Sequence, residues 1–187
     1  MDSGFYFLTF RLADSLPEAV LQQMRRRLSS KLEDDEGKRQ LARAIERYLD
    51  KGSGACYLKQ ARIASLVAAA IQHQDGKTYR LMAWVVMPNH VHLVFRLLPG
   101  QKLAGVVQAL KSYTGHEANR LLRRSGTFWQ REYFDHLIRN DHEFDRAIRY
   151  VLSNPEKAGL VHWKWVGCCG PEARSTAGED AGATEEP

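Results

Sequence analysis

Met87-Pro88-Asn89-His90-Val91-His92-Leu93-Val94-Phe95 sets two imidazoles one residue apart in a run of Val, Leu and Phe. β-branched and aromatic residues in such a run specify a β-strand. Side chains alternate faces along a strand, so His90 and His92 share one face while Val91 points into a core on the other. Two adjacent imidazoles suit a divalent ion when further groups complete its shell. A bare His-x-His fits two half-exposed strand histidines equally well. A second cluster near residue 150 shifts that balance.

Residues 79–86 form a preceding strand, joined to the histidine strand through Pro88-Asn89 and preceded by an Asp75-Gly76 turn. Residues 4–12 are aromatic and β-prone, a first strand. Ser15-Leu16-Pro17-Glu18 has the form of a capping box and predicts a helix over 17–32. Glu33-Asp34-Asp35-Glu36-Gly37 breaks it, and a second helix runs to about Asp50, before a Gly52-Ser53-Gly54 turn. Ile63, Leu66, Val67, Ala70 and Ile71 recur at helical spacing and predict a helix over 60–73. After the Pro99-Gly100 turn, 103–124 reads as a long amphipathic helix. Its stripe of Val106, Leu110, Tyr113 and Leu121 makes Tyr113 a core residue. The aromatic, partly basic segment 128–138 reads as a short strand. Asp141 is the expected N-cap of a last helix ending near Asn154, because Pro155 disfavours helix in the residue before it.

Composition bounds the class of protein. A chain of 187 residues, 44% hydrophobic and 26% charged, predicts one globular domain over 1–170. No apolar run approaches the roughly 18 residues needed to span a bilayer, so no membrane partner is expected. The N-terminus enters a strand directly, without the form of a signal peptide. Cys56, Cys168 and Cys169 make neither a Cys-x-x-Cys motif nor a disulfide framework, which predicts a reduced, cytoplasmic protein. Residues 171–187 hold five acidic side chains against Arg174 alone and read as a disordered acidic tail. Residues 1–170 then carry 26 Lys and Arg against 17 Asp and Glu, a net of +9 that suits a polyanionic partner.

The last predicted helix carries Tyr150 and Asn154, four residues apart and on one face. An amide oxygen can complete a metal shell, and a phenol oxygen can attack phosphorus. A core tyrosine and a C-terminal asparagine ahead of a proline would look the same in isolation.

The combined pattern resembles a known family. Met-Pro-Asn-His-Val-His (87–92), Phe-Trp-Gln-Arg-Glu-Tyr-Phe-Asp-His-Leu-Ile-Arg-Asn (128–140) and Arg-Tyr-Val-Leu-Ser-Asn-Pro-Glu-Lys-Ala-Gly-Leu-Val (149–161) match the IS200-like single-tyrosine transposases. Within them the chain looks most like the REP-associated branch. The resemblance spans about 5–161. It implies an α/β (α+β) fold of the HUH endonuclease type: a ferredoxin-like antiparallel sheet with packed helices. Residues 28–57 exceed what is expected between the first strand and the first core helix and look like an inserted helical hairpin. The resemblance also implies cutting and joining of single-stranded DNA at hairpin-forming, REP-like repeats. It carries Tyr150 over as nucleophile, and His90, His92 and Asn154 as ligands of Mg²⁺ or Mn²⁺. Relatives work as monomer or homodimer. Residues 146, 147, 153 and 154 are Arg, Ala, Ser and Asn, so no second tyrosine lies one turn from Tyr150 and the single-tyrosine class fits. His136 is a candidate base for the phenol.

Basic groups interleaved with aromatic ones suit a single strand, where phosphates need charge and bases need stacking faces. The candidates are Lys111, Arg120, Arg123 and Arg124 on the long helix, and Trp129, Arg131, Tyr133, His136 and Arg139 around the aromatic segment. Arg149 precedes the nucleophile. Two other readings remain open at this level: a non-cutting hairpin-binding protein, and an unrelated hydrolase using His-x-His.

Overall fold

Three consecutive sheet elements follow from local sequence. Strands β1 (Phe5–Arg11), β2 (Tyr79–Val86) and β3 (His90–Leu97) are rich in Val, Leu and aromatic residues, and β2 and β3 meet at a tight Met87–Asn89 connection. The computed structural model describes residues 4–28 and 34–169. Two short strands, β4 (Phe134–Ile138) and β5 (Val166–Cys168), complete a five-stranded sheet in the order β4-β1-β3-β2-β5, antiparallel throughout. Strand β5 was not foreseen, and the predicted acidic tail lies outside the described residues.

Helices α1 (Glu18–Arg27), α2 (Asp35–Asp50), α3 (Ala61–His73), α4 (Leu103–Leu122) and α5 (Asp141–Lys157) cover the sheet. Alternation sorts the strand residues between two cores. Leu8, Phe10, Val91, Leu93 and Phe95 pack with Ile63, Val67 and Ile71 of α3 and Val107 and Leu110 of α4. On the opposite face Phe7, Val85 and Val94 pack with Ile148 and Val151 of α5. The histidines belong to this second face. Helices α1 and α2 close a small third core with Leu16, Leu21 and Leu49. Three buried leucines, at about 1.5–3 kcal/mol each, cannot offset an ordering cost of roughly 1–2 kcal/mol per residue. The position of α2 therefore depends on its contacts with the rest of the chain.

Several predicted boundaries shift. Ser15 forms no capping box; its hydroxyl donates to the Leu12 carbonyl at 2.7 Å, and the helix starts after Pro17 without a side-chain cap. The N-cap of α5 is Asn140, not Asp141, its side chain accepting from the Glu143 N–H at 2.9 Å. That helix also runs through Pro155 to Lys157. The proline ring is buried, and the next turn closes through Ala158 N–H to Asn154 (3.1 Å) and Leu160 N–H to Pro155 (2.8 Å). Asn154 is thus held in a helix interior and not at a frayed end. Tyr113 is 57% exposed, contrary to its place on the apolar stripe.

Candidate functional site

Register places Thr9 of β1, His92 of β3 and Val85 of β2 side by side, with Arg11 opposite His90. His90 and His92 are fully buried, their ring centroids 4.6 Å apart and their planes nearly perpendicular. Each Nδ1 has a partner. His90 Nδ1 meets Asn89 Oδ1 at 2.7 Å, and His92 Nδ1 meets Thr9 Oγ1 at 2.7 Å. Each Nε2 has none. Burial drives the basicity of His90 down from 6.5 to about 3, and burial with His90 beside it drives His92 well down too. Both rings are therefore neutral at physiological pH, the form that ligates a metal.

Helix α5 lays Tyr150 over this pair. Its ring stands edge-on to His92 (5.3 Å between centroids) and to Phe7 (5.7 Å), and Lys157 Nζ lies 5.4 Å from the ring centre. Asn154, one turn on, is 2% exposed. Neither Tyr150 Oη nor Asn154 Oδ1 has a hydrogen-bond partner, although Asn154 faces the hydroxyl. Burial, reinforced by the charges of Glu46 and Asp50, pushes the phenol well above its usual range.

Those two carboxylates are what reading the sequence missed. They lie four residues apart on α2, hence on one face, and α2 belongs to the segment taken as an insertion of no assigned role. Glu46 faces the Tyr150 hydroxyl, and burial raises its carboxyl from 4.5 to about 7. Asp50 Oδ1 lies 3.8 Å from His90 Nε2, buried and without a hydrogen bond. Arg11, opposite His90, was also missed; its Nε is buried and unpartnered, and burial lowers its pKa. His136, the suggested base, turns instead toward Glu143, with Nε2 3.4 Å from Oε2.

The donor set fits a divalent cation. Two neutral imidazole nitrogens and an amide oxygen, all buried and unpartnered, are left without the hydrogen bonds such groups otherwise find. Among the described residues no three His, Cys, Asp or Glu side chains are grouped to hold an ion, so an ion at the histidine pair would need a donor of another type.

The nucleic-acid candidates divide. Arg131, Arg139 and Arg149 are exposed, and so is Arg123, which caps α4 in a left-handed conformation at φ 51°. Arg120 is exposed but bound to Glu117 at 2.8 Å. Arg124 stacks over Tyr57, 4.9 Å from its centre. Lys111 Nζ holds the Gln130 and Arg131 carbonyls at 2.7 Å each, so its charge anchors the aromatic loop. Tyr133 is half-buried over that lysine, 5.8 Å away. Trp129 requires correction as a stacking platform. It is 5% exposed, with its indole N–H donated to Thr114 Oγ1 at 2.9 Å and its ring edge-on to Phe10. The exposed aromatic of this segment is Phe134, edge-on to Phe7 at 6.4 Å.

An antiparallel sheet flanked by helices, with a histidine pair on one strand facing a tyrosine-bearing helix, places this chain in the ferredoxin-like α/β class. It belongs to the IS200-like transposase family, whose model, "Transposase IS200 like", matches residues 57–154. The REP-associated tyrosine transposase of Escherichia coli (strain K12) is 27% identical over 94 residues, covering 50% of this chain and 54% of that protein. A Haemophilus influenzae protein described as a putative REP-associated tyrosine transposase is 28% identical over 93 residues, covering 44% and 53%. The chain spans about half the length of the curated relatives it matches. A solved REP-associated tyrosine transposase bound to a REP hairpin shares the fold, with a TM-score of 0.54, 19% identity, and coverage of 89% of this chain and 77% of that one. Among the described residues no helix is long and apolar enough to cross a membrane.

Proposed function

We propose that this chain cuts and rejoins single-stranded DNA next to a REP-like hairpin, with Tyr150 as nucleophile and Mg²⁺ or Mn²⁺ as cofactor. The observation that carries the reading is the convergence of four buried, unpartnered atoms: His90 Nε2, His92 Nε2, Asn154 Oδ1 and Tyr150 Oη. Groups left without hydrogen bonds in a core cost about 1–3 kcal/mol each, a cost retained where a ligand answers it. Family membership and a relative bound to a REP hairpin support the choice of substrate.

His90, His92 and Asn154 would hold the cation, which neutralises charge on the scissile phosphate when bound. Tyr150 Oη attacks phosphorus while the bond to the 3′ oxygen breaks. The products are a 5′-phosphotyrosine and a free 3′-hydroxyl. A phenol pushed upward by burial needs a proton acceptor. Glu46 faces it, with a carboxyl raised to about 7 and so a better base than an ordinary glutamate. Rejoining reverses the step, a 3′-hydroxyl displacing Tyr150 and the phenol recovering its proton.

The test is covalent trapping on labelled hairpin oligonucleotides with Mn²⁺, resolved on a denaturing gel. A metal-dependent adduct that disappears in Tyr150→Phe is expected. Hairpin binding with no adduct on any oligonucleotide would replace this reading with that of a non-cutting DNA-binding protein.

A further inference from the structure

We propose that α2 carries a phosphate rail: Arg43, Arg47 and Lys51, with Arg27 of α1, hold the backbone of the single strand beside Tyr150. The inference rests on the strand-cutting reading above. It gives a task to α1 and α2, which lie outside the family-matched segment 57–154.

The sequence of α2 sets its charges in a line. Arg39, Arg43, Arg47 and Lys51 recur every four residues, so they follow one ridge of the helix. Successive members rise by about 6 Å, close to the phosphate step of a stretched strand. All four side chains are exposed. Like charges four residues apart destabilise a helix, and this one rests on the small core of Leu16, Leu21 and Leu49. A polyanion laid along the ridge removes the repulsion.

Little within the protein neutralises these cations. Arg43 stands 3.8 Å from Glu36, both side chains more than half exposed, in an ion pair that solvent screens. Arg47 donates to the Arg43 carbonyl at 3.3 Å. Arg27, Arg39, Arg47 and Lys51 form no ion pair with another described residue. The two carboxylates nearest the ridge turn to the site, Glu46 to the Tyr150 hydroxyl and Asp50 to His90.

The ridge leads to the chemistry. Arg27, Arg43, Arg47 and Lys51 line one groove of about 920 Å³, and Tyr150 lines the same groove. Half-buried Tyr48 adds a second aromatic ring to its wall. Cations beside aromatic rings make a single-strand site, with charge for the phosphates and flat faces for the bases. The strand cut at Tyr150 is unpaired there, so the occupant is the single strand and not the hairpin stem.

The test uses the full chain and fluorescence anisotropy across a salt series, with stem-only and stem-plus-extension hairpins. With Arg43→Gln, Arg47→Gln and Lys51→Gln combined, the extended hairpin should bind at least about tenfold more weakly. The slope of log affinity against log salt should flatten by about 2, since each phosphate contact on a single strand contributes about 0.7. Binding of the stem-only hairpin should hold, and so should the melting temperature, because all three side chains are exposed. Arg47→Gln alone should flatten the slope by about 0.7, so the test stands without the triple variant. Arg43→Lys, Arg47→Lys and Lys51→Arg combined should keep the wild-type slope, which separates charge from shape. An unchanged slope in the glutamine variants, in a chain that still forms the Tyr150 adduct, overturns the rail and leaves the proposed function standing. Equal weakening on both hairpins also overturns it, placing the paired stem in the groove. A wild-type chain that binds neither hairpin overturns both.

Discussion

The side-chain oxygen of Asn89 accepts the Nδ1–H of His90 at 2.7 Å while its amide nitrogen holds the carbonyls of Leu49 and Ser53. One fully buried side chain thus orients a histidine and anchors the end of α2. Asn89→Ala removes one donor from each of two carbonyls, of which that of Leu49 keeps the Gly52 N–H at 2.8 Å, and the acceptor of one buried ring nitrogen. We expect a stability loss of about 2–4 kcal/mol, measured by urea unfolding, and Mn²⁺ affinity reduced roughly tenfold or more. A variant that unfolds at the wild-type midpoint would show that these three hydrogen bonds are dispensable.

His92 depends on a single hydroxyl, Thr9 Oγ1 at 2.7 Å. Thr9→Val keeps the shape of the side chain and removes the bond. The expected cost is about 1 kcal/mol of stability together with a several-fold loss in Mn²⁺ affinity, since an unanchored imidazole ligates less well. Thr9→Ser should restore affinity. If Ser and Val behave alike, the hydroxyl does not orient His92.

Strands β2 and β3 and helix α3 were legible because their signals are local: unbroken β-prone runs, a turn dipeptide, and apolar residues at helical spacing. So was the shared face of His90 and His92, which follows from strand alternation alone. The stripe of α4 holds at Val106, Leu110 and Leu121, which pack on the core, and fails at Tyr113 for a physical reason. The helix also packs through Val107, Thr114, Gly115 and Ala118, mostly small residues that admit Phe128 and Trp129; a Cβ at Gly115 would sit 3.4 Å from the Trp129 ring. A stripe of small residues carries little hydropathy signal, so the larger Tyr113 drew the face toward itself. Glu46 and Asp50 were invisible for another reason. Their meeting with Tyr150 and His90 is set by the docking of α2, which rests on contacts distant in sequence, Asn89 foremost.

The metal-free protein should show two opposed acid responses. His90, depressed by burial from 6.5 to about 3, contributes stability that is whole above pH 6.5 and lost as pH falls toward 3, because the unfolded chain then binds a proton the folded one refuses. His92 acts in the same direction. Glu46 is raised from 4.5 to about 7, so its contribution is whole below pH 4.5 and fades as pH rises to 7. Between pH 4.5 and 6.5 the carboxyl therefore offsets part of the histidine loss, at up to about 1.4 kcal/mol per pH unit for each group. Urea midpoints across this range should fall more steeply with acid in Glu46→Gln than in the wild type. Parallel profiles would mean that the Glu46 carboxyl is not held protonated in the fold.

Trp129 and Phe134, five residues apart in the aromatic segment, should respond in opposite ways. Trp129 is 5% exposed and packed on Phe10 and Phe128, so Trp129→Ala opens a cavity worth about 3–5 kcal/mol. At roughly 2–4 °C per kcal/mol for a chain of this size, the melting temperature should drop by about 10 °C. Phe134 is 41% exposed, and its removal should leave melting nearly unchanged. A base stacked on an aromatic ring is worth about 1–3 kcal/mol, so Phe134→Ala should weaken binding of a single-stranded extension about 5- to 150-fold. Binding of the paired stem should change little. Fluorescence anisotropy with stem-only and stem-plus-extension oligonucleotides separates the two effects. Equal weakening of both would show that Phe134 stacks on no base and that the single strand follows another path.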